Sequence, residues 1–151
     1  MKAFGDARIA AGETLLVVDL GACGGMDSTF MGTLAGMAAR LSALEGGTLQ
    51  IAEPGERNRR SLEDLGLDFL MEIDPPGTAW RGRVDEIRRG LHPQQAPGAL
   101  AQGQRARHVL EAHQQLSDLN DSNARSFAGV VTLLENQLAG KERLADTDGK
   151  G

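Results

Sequence analysis

The sequence predicts an α/β fold, with helices packed on a parallel sheet, and three observations lead there. Short apolar runs alternate with segments whose apolar residues recur at helical spacing, glycines mark most of the joins, and nothing repeats along the chain. Strands that alternate with helices through short links form βαβ units, whose strands lie parallel. With 151 residues the chain suffices for one domain of ordinary size, with length left over.

The elements follow in order. "MKAFGDARIAAGE" supplies one or two helical turns, marked by Phe4, Ala7 and Ile9. Thr14 to Leu20, "TLLVVDL", is a continuous apolar run of the kind expected for a strand buried on both faces. A bend carrying Gly21, Gly24 and Gly25 follows, and from Ser28 the period changes. Phe30, Leu34, Met37, Leu41 and Leu44 recur at steps of four and three, one face of a helix, which Gly46-Gly47 stops. "TLQIA", Thr48 to Ala52, reads as a second strand. "PGERNRRSLEDLGL" reads as a helix with Leu62 and Leu65 inward and Gly66 as its stop. "DFLMEI", Asp68 to Ile73, is expected to be the third strand, ended by Pro75-Pro76. Residues 1–74 thus form one α/β unit on a thin sheet.

Residues 75–103 read as a connector rich in proline and glycine. It holds one short helix, with Trp80, Val84, Ile87 and Leu91 at helical spacing. Residues 104–140 read as a helix or a helix pair, with Val109, Leu116, Leu119, Phe127, Val130, Val131, Leu134 and Leu138 as an interrupted apolar stripe. The interruption, "NDSN" at 120–123, is either the cap of a second helix or a polar layer within one long helix. The long helix is the reading favoured, packed back on the domain or onto a second copy of the chain. Residues 141–151 are expected to be a disordered tail.

Composition removes several classes of function. A net charge of −5 argues against nucleic acid as the main partner, since phosphate binding needs a basic face. Arg57, Arg59, Arg60, Arg81, Arg83, Arg88 and Arg89 are interspersed with acids and read as solvated helix faces. Four Phe, one Trp and no Tyr leave few platforms for stacking on bases. No apolar run approaches the roughly 20 residues that span a bilayer. The N-terminus lacks the apolar core of a signal peptide, and a lone cysteine, Cys23, fits a reducing cytosol.

The bend before Ser28 lies where α/β proteins place their sites, after the carboxyl end of a strand. A phosphate-binding Walker loop needs Lys before Ser/Thr, and Asp27 stands there instead. Gly21, Gly24 and Gly25 have the wrong spacing for a dinucleotide fingerprint, and Asp27 repels a pyrophosphate. A nucleophile elbow needs glycines where Met26 and Phe30 stand, and all three histidines, His92, His108 and His113, lie far along the chain. An aspartyl-phosphate site at Asp19 needs further acids and a lysine, yet Lys2 is the only lysine before Lys141. His108 and His113, five apart, share no helical face, and one cysteine makes no zinc set. Two readings remain for "MDST". Asp27 or Ser28 caps the following helix, or the hydroxyl is a phosphorylation site.

The order of the pieces weighs on that choice. Strand "LLVVDL", a bend, "MDST", and a helix carrying Gly32 and Leu34 resemble the STAS domain of bacterial anti-sigma factor antagonists. The likeness runs on through "GGTLQIA" and "RRSLEDLGLDFLMEI" and covers residues 3–74. It implies a STAS-like mixed sheet with helices packed on it, lacking the family's N-terminal strands, and a helical extension at the C-terminus. It implies a non-enzymatic, cytoplasmic regulatory module that binds an anti-sigma factor or serine kinase-like protein, with no cofactor, no metal and no catalytic residue. Ser28 aligns with the phosphorylated serine, Thr29 with the next hydroxyl and second choice, Asp27 with the acid before it, and Gly32 with the second signature glycine. The partner surface implied is Gly24, Gly25, Met26, Asp27, Ser28, Thr29, Phe30 and Met31, with the Ser28 hydroxyl uncovered at the mouth of the helix.

Two features depart from the family. Phe30 takes the place of its first glycine, which elsewhere lets a partner approach the backbone closely. The family's N-terminal strand pair is not seen, so another element covers the sheet edge or the protein starts further upstream. The upstream start is favoured, because a bare inner edge invites aggregation. Two other functions stay open: a scaffold or accessory STAS subunit of a signalling assembly or lipid transporter, and small-ligand or nucleotide binding at Gly21–Gly25. Residues 104–138 are the candidate segment for homo-oligomerisation.

Overall fold

A computed structural model describes residues 1–93 and 102–148, with side chains described for 1–93 and 103–141. Helix α1 (Lys2–Ala10) leads into strand β1 (Leu15–Asp19), followed by helix α2 (Ser28–Ser42) and strand β2 (Thr48–Ala52). Helix α3 (Gly55–Asp64), a 3-10 turn (Leu67–Phe69) and strand β3 (Glu72–Ile73) complete the α/β unit. Helices α4 (Val84–Gly90), α5 (Gln102–Ser117) and α6 (Asp121–Asp148) follow.

The sheet has the order β1-β2-β3. Leu15 lies opposite Thr48, Asp19 opposite Ala52, and Ile51 opposite Ile73. Every pairing is parallel, where the family likeness implies a mixed sheet. The outer edge of β1 has no partner strand among the described residues.

Helix α2 is the centre of the molecule, with Gly32 through Ala38 all buried. Its Leu34, Met37 and Leu41 join Leu49 and Ile51 of β2, Leu62 of α3, Leu67, Met71 and Leu116 of α5 in one apolar core. Removal of these side chains from water is the main force holding the layers together.

Four expectations are corrected. Strand β1 is not buried on both faces: Leu15 and Val17 are 49% and 40% exposed, while Leu16 and Val18 are half-buried. Trp80 and α4 cover only part of the outer face and leave a groove beside Val17 and Ala52. The third strand is two residues long, not six. Gly66, in the left-handed region at φ 74°, turns the chain, and Leu70 and Met71 then hydrogen-bond back to Leu67 at 3.0 and 3.1 Å. Leu67 and Met71 are thereby buried one turn apart while Phe69 stays exposed.

The apolar stripe of 104–140 is a hairpin of two helices, not one long helix. Asn120 ends the ambiguity by capping α6: its side-chain oxygen accepts the Asn123 N–H at 2.8 Å. The expected disordered tail is helical as far as Asp148. In the connector, α4 begins at Val84 and Trp80 lies just before it; residues 94–101 and 149–151 lie outside those described.

Candidate functional site

The bend between β1 and α2 is built from backbone hydrogen bonds. The Leu20 N–H donates to Ala52 and the Cys23 N–H to Leu20, both at 2.8 Å. Buried Asn58 of α3 reaches across to donate to the Cys23 carbonyl at 2.7 Å, fixing the bend against the domain. The Cys23 thiol lies 3.3 Å from the Gly25 carbonyl.

Asp27 is the N-cap of α2. Its extended backbone (φ −92°, ψ 171°) turns the carboxylate to accept the Phe30 N–H at 2.7 Å. This satisfies one of the free donors that every helix start presents, and the negative charge sits well at the positive end of the helix. Ser28 is therefore the first residue of the helix proper.

The Ser28 hydroxyl is not uncovered. Its Oγ lies 2.9 Å from Nε2 of His113, a residue 85 positions away on α5. Nδ1 of His113 lies 2.7 Å from the Val109 carbonyl. A carbonyl only accepts, so Nδ1 carries the proton, and in the neutral ring Nε2 accepts from Ser28. His113 is 6% exposed, and Phe127 of α6 meets its ring edge-on at 5.6 Å. Sequence separation alone had set the histidines apart from Ser28; the fold joins one of them to it.

A second polar pair sits one turn further on. The Thr33 hydroxyl donates to the Thr29 carbonyl at 2.7 Å, and His108 Nε2 lies 3.3 Å from the same oxygen. With its proton engaged, Thr33 can only accept from His108, which leaves His108 Nδ1 buried without a partner. Beside it the α2–α5 seam holds a cavity of about 170 Å³, bordered by Lys2, Thr33, Arg40, His108, Glu111 and Gln115.

Gly32 explains how α5 comes so near. A Cβ at this position would stand 2.1 Å from the Ala112 carbonyl oxygen, so only glycine admits the α5 backbone here. Of the expected partner surface, Gly24, Gly25 and Asp27 are exposed, and Met26, Ser28, Thr29, Phe30 and Met31 are half-buried. Met26, Phe30 and Met31 pack at the margin of the core. Among the described residues no group of three His, Cys, Asp or Glu could hold a metal ion. No described helix is long and apolar enough to cross a membrane.

The strand ends carry a charged cluster. Arg88 of α4 meets Asp19 at 2.6 and 2.7 Å and Glu53 at 2.6 Å. The hydrogen bond from Arg88, helped by the Gly21 N–H, holds the Asp19 carboxyl below its usual range. Two carboxylates raise the Arg88 guanidinium further above its already high value. A Cβ at Gly21 would come within 2.0 Å of the guanidinium, so this bend closes on the chain's own side chains.

Compared with known proteins, the chain matches no family, no curated protein and no solved structure.

Proposed function

We propose that the chain is a non-enzymatic regulatory module of the STAS, anti-sigma factor antagonist-like kind. A partner serine kinase phosphorylates Ser28 and thereby switches binding of a partner protein. The observation that carries this reading is the geometry of Ser28: the first residue of α2, directly behind the Asp27 cap and half-buried. A phosphate there adds about −1.5 to −2 charges. Amide groups at a helix start tolerate such a charge, so the domain keeps its fold while the surface beside Asp27 becomes more negative. A phosphorylated Ser28 also has no hydroxyl proton left to donate to His113. Modification therefore removes the hydrogen bond in which Ser28 donates to the neutral His113 ring.

Trypsin releases residues 9–40 as one peptide, since no Lys or Arg lies between Arg8 and Arg40. Mass spectrometry of protein from its native cells is expected to find that peptide phosphorylated, with fragment ions placing the group on Ser28. A group on Thr29 moves the switch by one residue. Unmodified peptide under every growth condition removes it.

A second reading has its own support. The occupied hydroxyl, held by His113, and the helical hairpin over α2 also suit a scaffold or accessory subunit that works without phosphorylation. In that case Ser28→Ala leaves function intact, while removal of residues 104–151 abolishes assembly. A phosphorylation switch gives the opposite result for Ser28→Ala.

A further inference from the structure

The contact between Ser28 and His113 has the form of a nucleophile beside its base. A serine hydroxyl attacks when a base takes its proton and a third group holds that base in the right tautomer. All three parts are present. The Ser28 Oγ lies 2.9 Å from His113 Nε2, and the Nδ1 proton is held by the Val109 carbonyl at 2.7 Å. Nε2 therefore turns a lone pair toward the hydroxyl, which is the form a general base requires. Val109 lies one helical turn before His113, so α5 itself sets the tautomer of the ring. Phe127 of α6 packs edge-on against that ring from the other helix of the hairpin.

The surroundings of the hydroxyl favour one kind of reactant. Ser28 is half-buried, while Gly24, Gly25 and Asp27 just before it are exposed, so it stands at the edge of the bend. Of the N–H groups that open α2, that of Phe30 donates to the Asp27 carboxylate and that of Met31 to the Asp27 carbonyl. Those of Ser28 and Thr29 have no intrahelical acceptor and suit an oxygen that gains negative charge. The Asp27 carboxylate disfavours a reactant that arrives already negative. Met26, Phe30 and Met31, half-buried at the margin of the core, make the neighbourhood apolar. Together these features select a small, uncharged ester.

We infer that Ser28 and His113 are a nucleophile–base pair, through which the chain takes an acyl group onto Ser28 directly from a small neutral ester. In this step the Ser28 Oγ forms a bond to the carbonyl carbon while its proton passes to His113 Nε2. The bond from that carbon to the alcohol oxygen of the ester then breaks, and the proton moves from His113 to the departing oxygen. The alcohol leaves, His113 is neutral again, and Ser28 carries the acyl group. No kinase and no phosphate takes part, so the inference stands or falls apart from the reading of Ser28 as a phosphorylation site.

The test incubates the full chain with p-nitrophenyl acetate and follows acetylation of each serine by mass spectrometry of tryptic peptides. Ser28 is the only serine in peptide 9–40, which makes its label unambiguous among the serines. Ser42 and Ser126 are exposed serines that donate to backbone carbonyls rather than to an imidazole. Ser28 is expected to be acetylated about 100-fold faster than either, despite its lower exposure. His113→Gln keeps an acceptor for the hydroxyl but removes the base, and is expected to slow labelling of Ser28 about 100-fold. A merely structural hydrogen bond would leave both rates unmoved. Comparable rates at the three serines overturn the inference, as does a rate at Ser28 that His113→Gln leaves unchanged. An acetyl group on His113 and not on Ser28 overturns it as well. If His113→Gln fails to fold, the comparison of serines within the wild-type chain still decides.

Discussion

At the scale of the residue, three side-chain positions define the region, and they differ in how plainly the sequence displays them. Asp27 is legible in part: the sequence offers Asp27 or Ser28 as the cap, and the structure selects Asp27. Asp27→Ala is expected to cost about 1 kcal/mol in urea denaturation, by freeing the Phe30 N–H. Gly32 is legible only as a glycine. Its physical task, admitting the Ala112 carbonyl, depends on a helix some 80 positions away. Gly32→Ala is expected to cost about 1–3 kcal/mol, because the methyl has a backbone to displace rather than a yielding side chain. His113 was invisible. Its pairing with Ser28 is a purely tertiary contact, and no spacing along the chain encodes it. A loss under about 0.3 kcal/mol for Gly32→Ala would mean that α5 does not lie where Ala112 now sits.

At the scale of the element, strand β2 was readable to its ends, since Thr48–Ala52 is bounded by glycines and a proline. Strand β3 was misread because five of the seven residues from Leu67 to Ile73 are apolar, which hides whether their period is two or four. Helix α4 was readable from its spacing, but what fastens it was not. Polar contacts do so both ahead of the helix and within it, and two of them are informative. Trp80, ahead of the helix, donates its indole N–H to Gln50 at 2.7 Å, and Gln50 in turn donates to Glu72 at 2.6 Å. Trp80→Phe keeps much of the ring volume and leaves the Gln50 oxygen buried without a donor. It is expected to cost about 1–3 kcal/mol in the same urea measurement.

The other contact, Arg88 on Asp19, makes the docking of α4 depend on acidity. The folded carboxyl ionises below its ordinary value of 3.8. Asp19 therefore contributes stability that is complete above that value and is lost as pH falls through the lower folded one. A carbon-detected titration of the Asp19 carboxyl is expected to move upward, toward the ordinary value, in Arg88→Ala. An unchanged midpoint would show that Arg88 is not what holds it down.

At the scale of the whole molecule, α2 is a wall shared by two assemblies, with the sheet on one side and the α5–α6 hairpin on the other. The sequence announces the sheet side through the regular return of Leu34, Met37 and Leu41. It is silent about the hairpin side, where Gly32 and Gly36 meet their neighbour by lacking a side chain. This asymmetry separates the effects of two substitutions that look alike on paper, since Leu34 and Leu116 are both fully buried in the same core. Leu34→Ala opens a cavity inside the wall itself, at a cost of about 2–5 kcal/mol. Hydrogen exchange is then expected to quicken in both β2 and α5. Leu116→Ala empties a position on the hairpin, so exchange is expected to quicken in residues 105–117 while residues 48–52 keep most of their protection. The order expected from this arrangement is that the hairpin opens without the sheet while the sheet loosens only together with the hairpin, because α2 carries both. Equal acceleration of the two segments by Leu116→Ala would make the molecule one cooperative unit, and the face around Ser28 would then be exposed only by global unfolding.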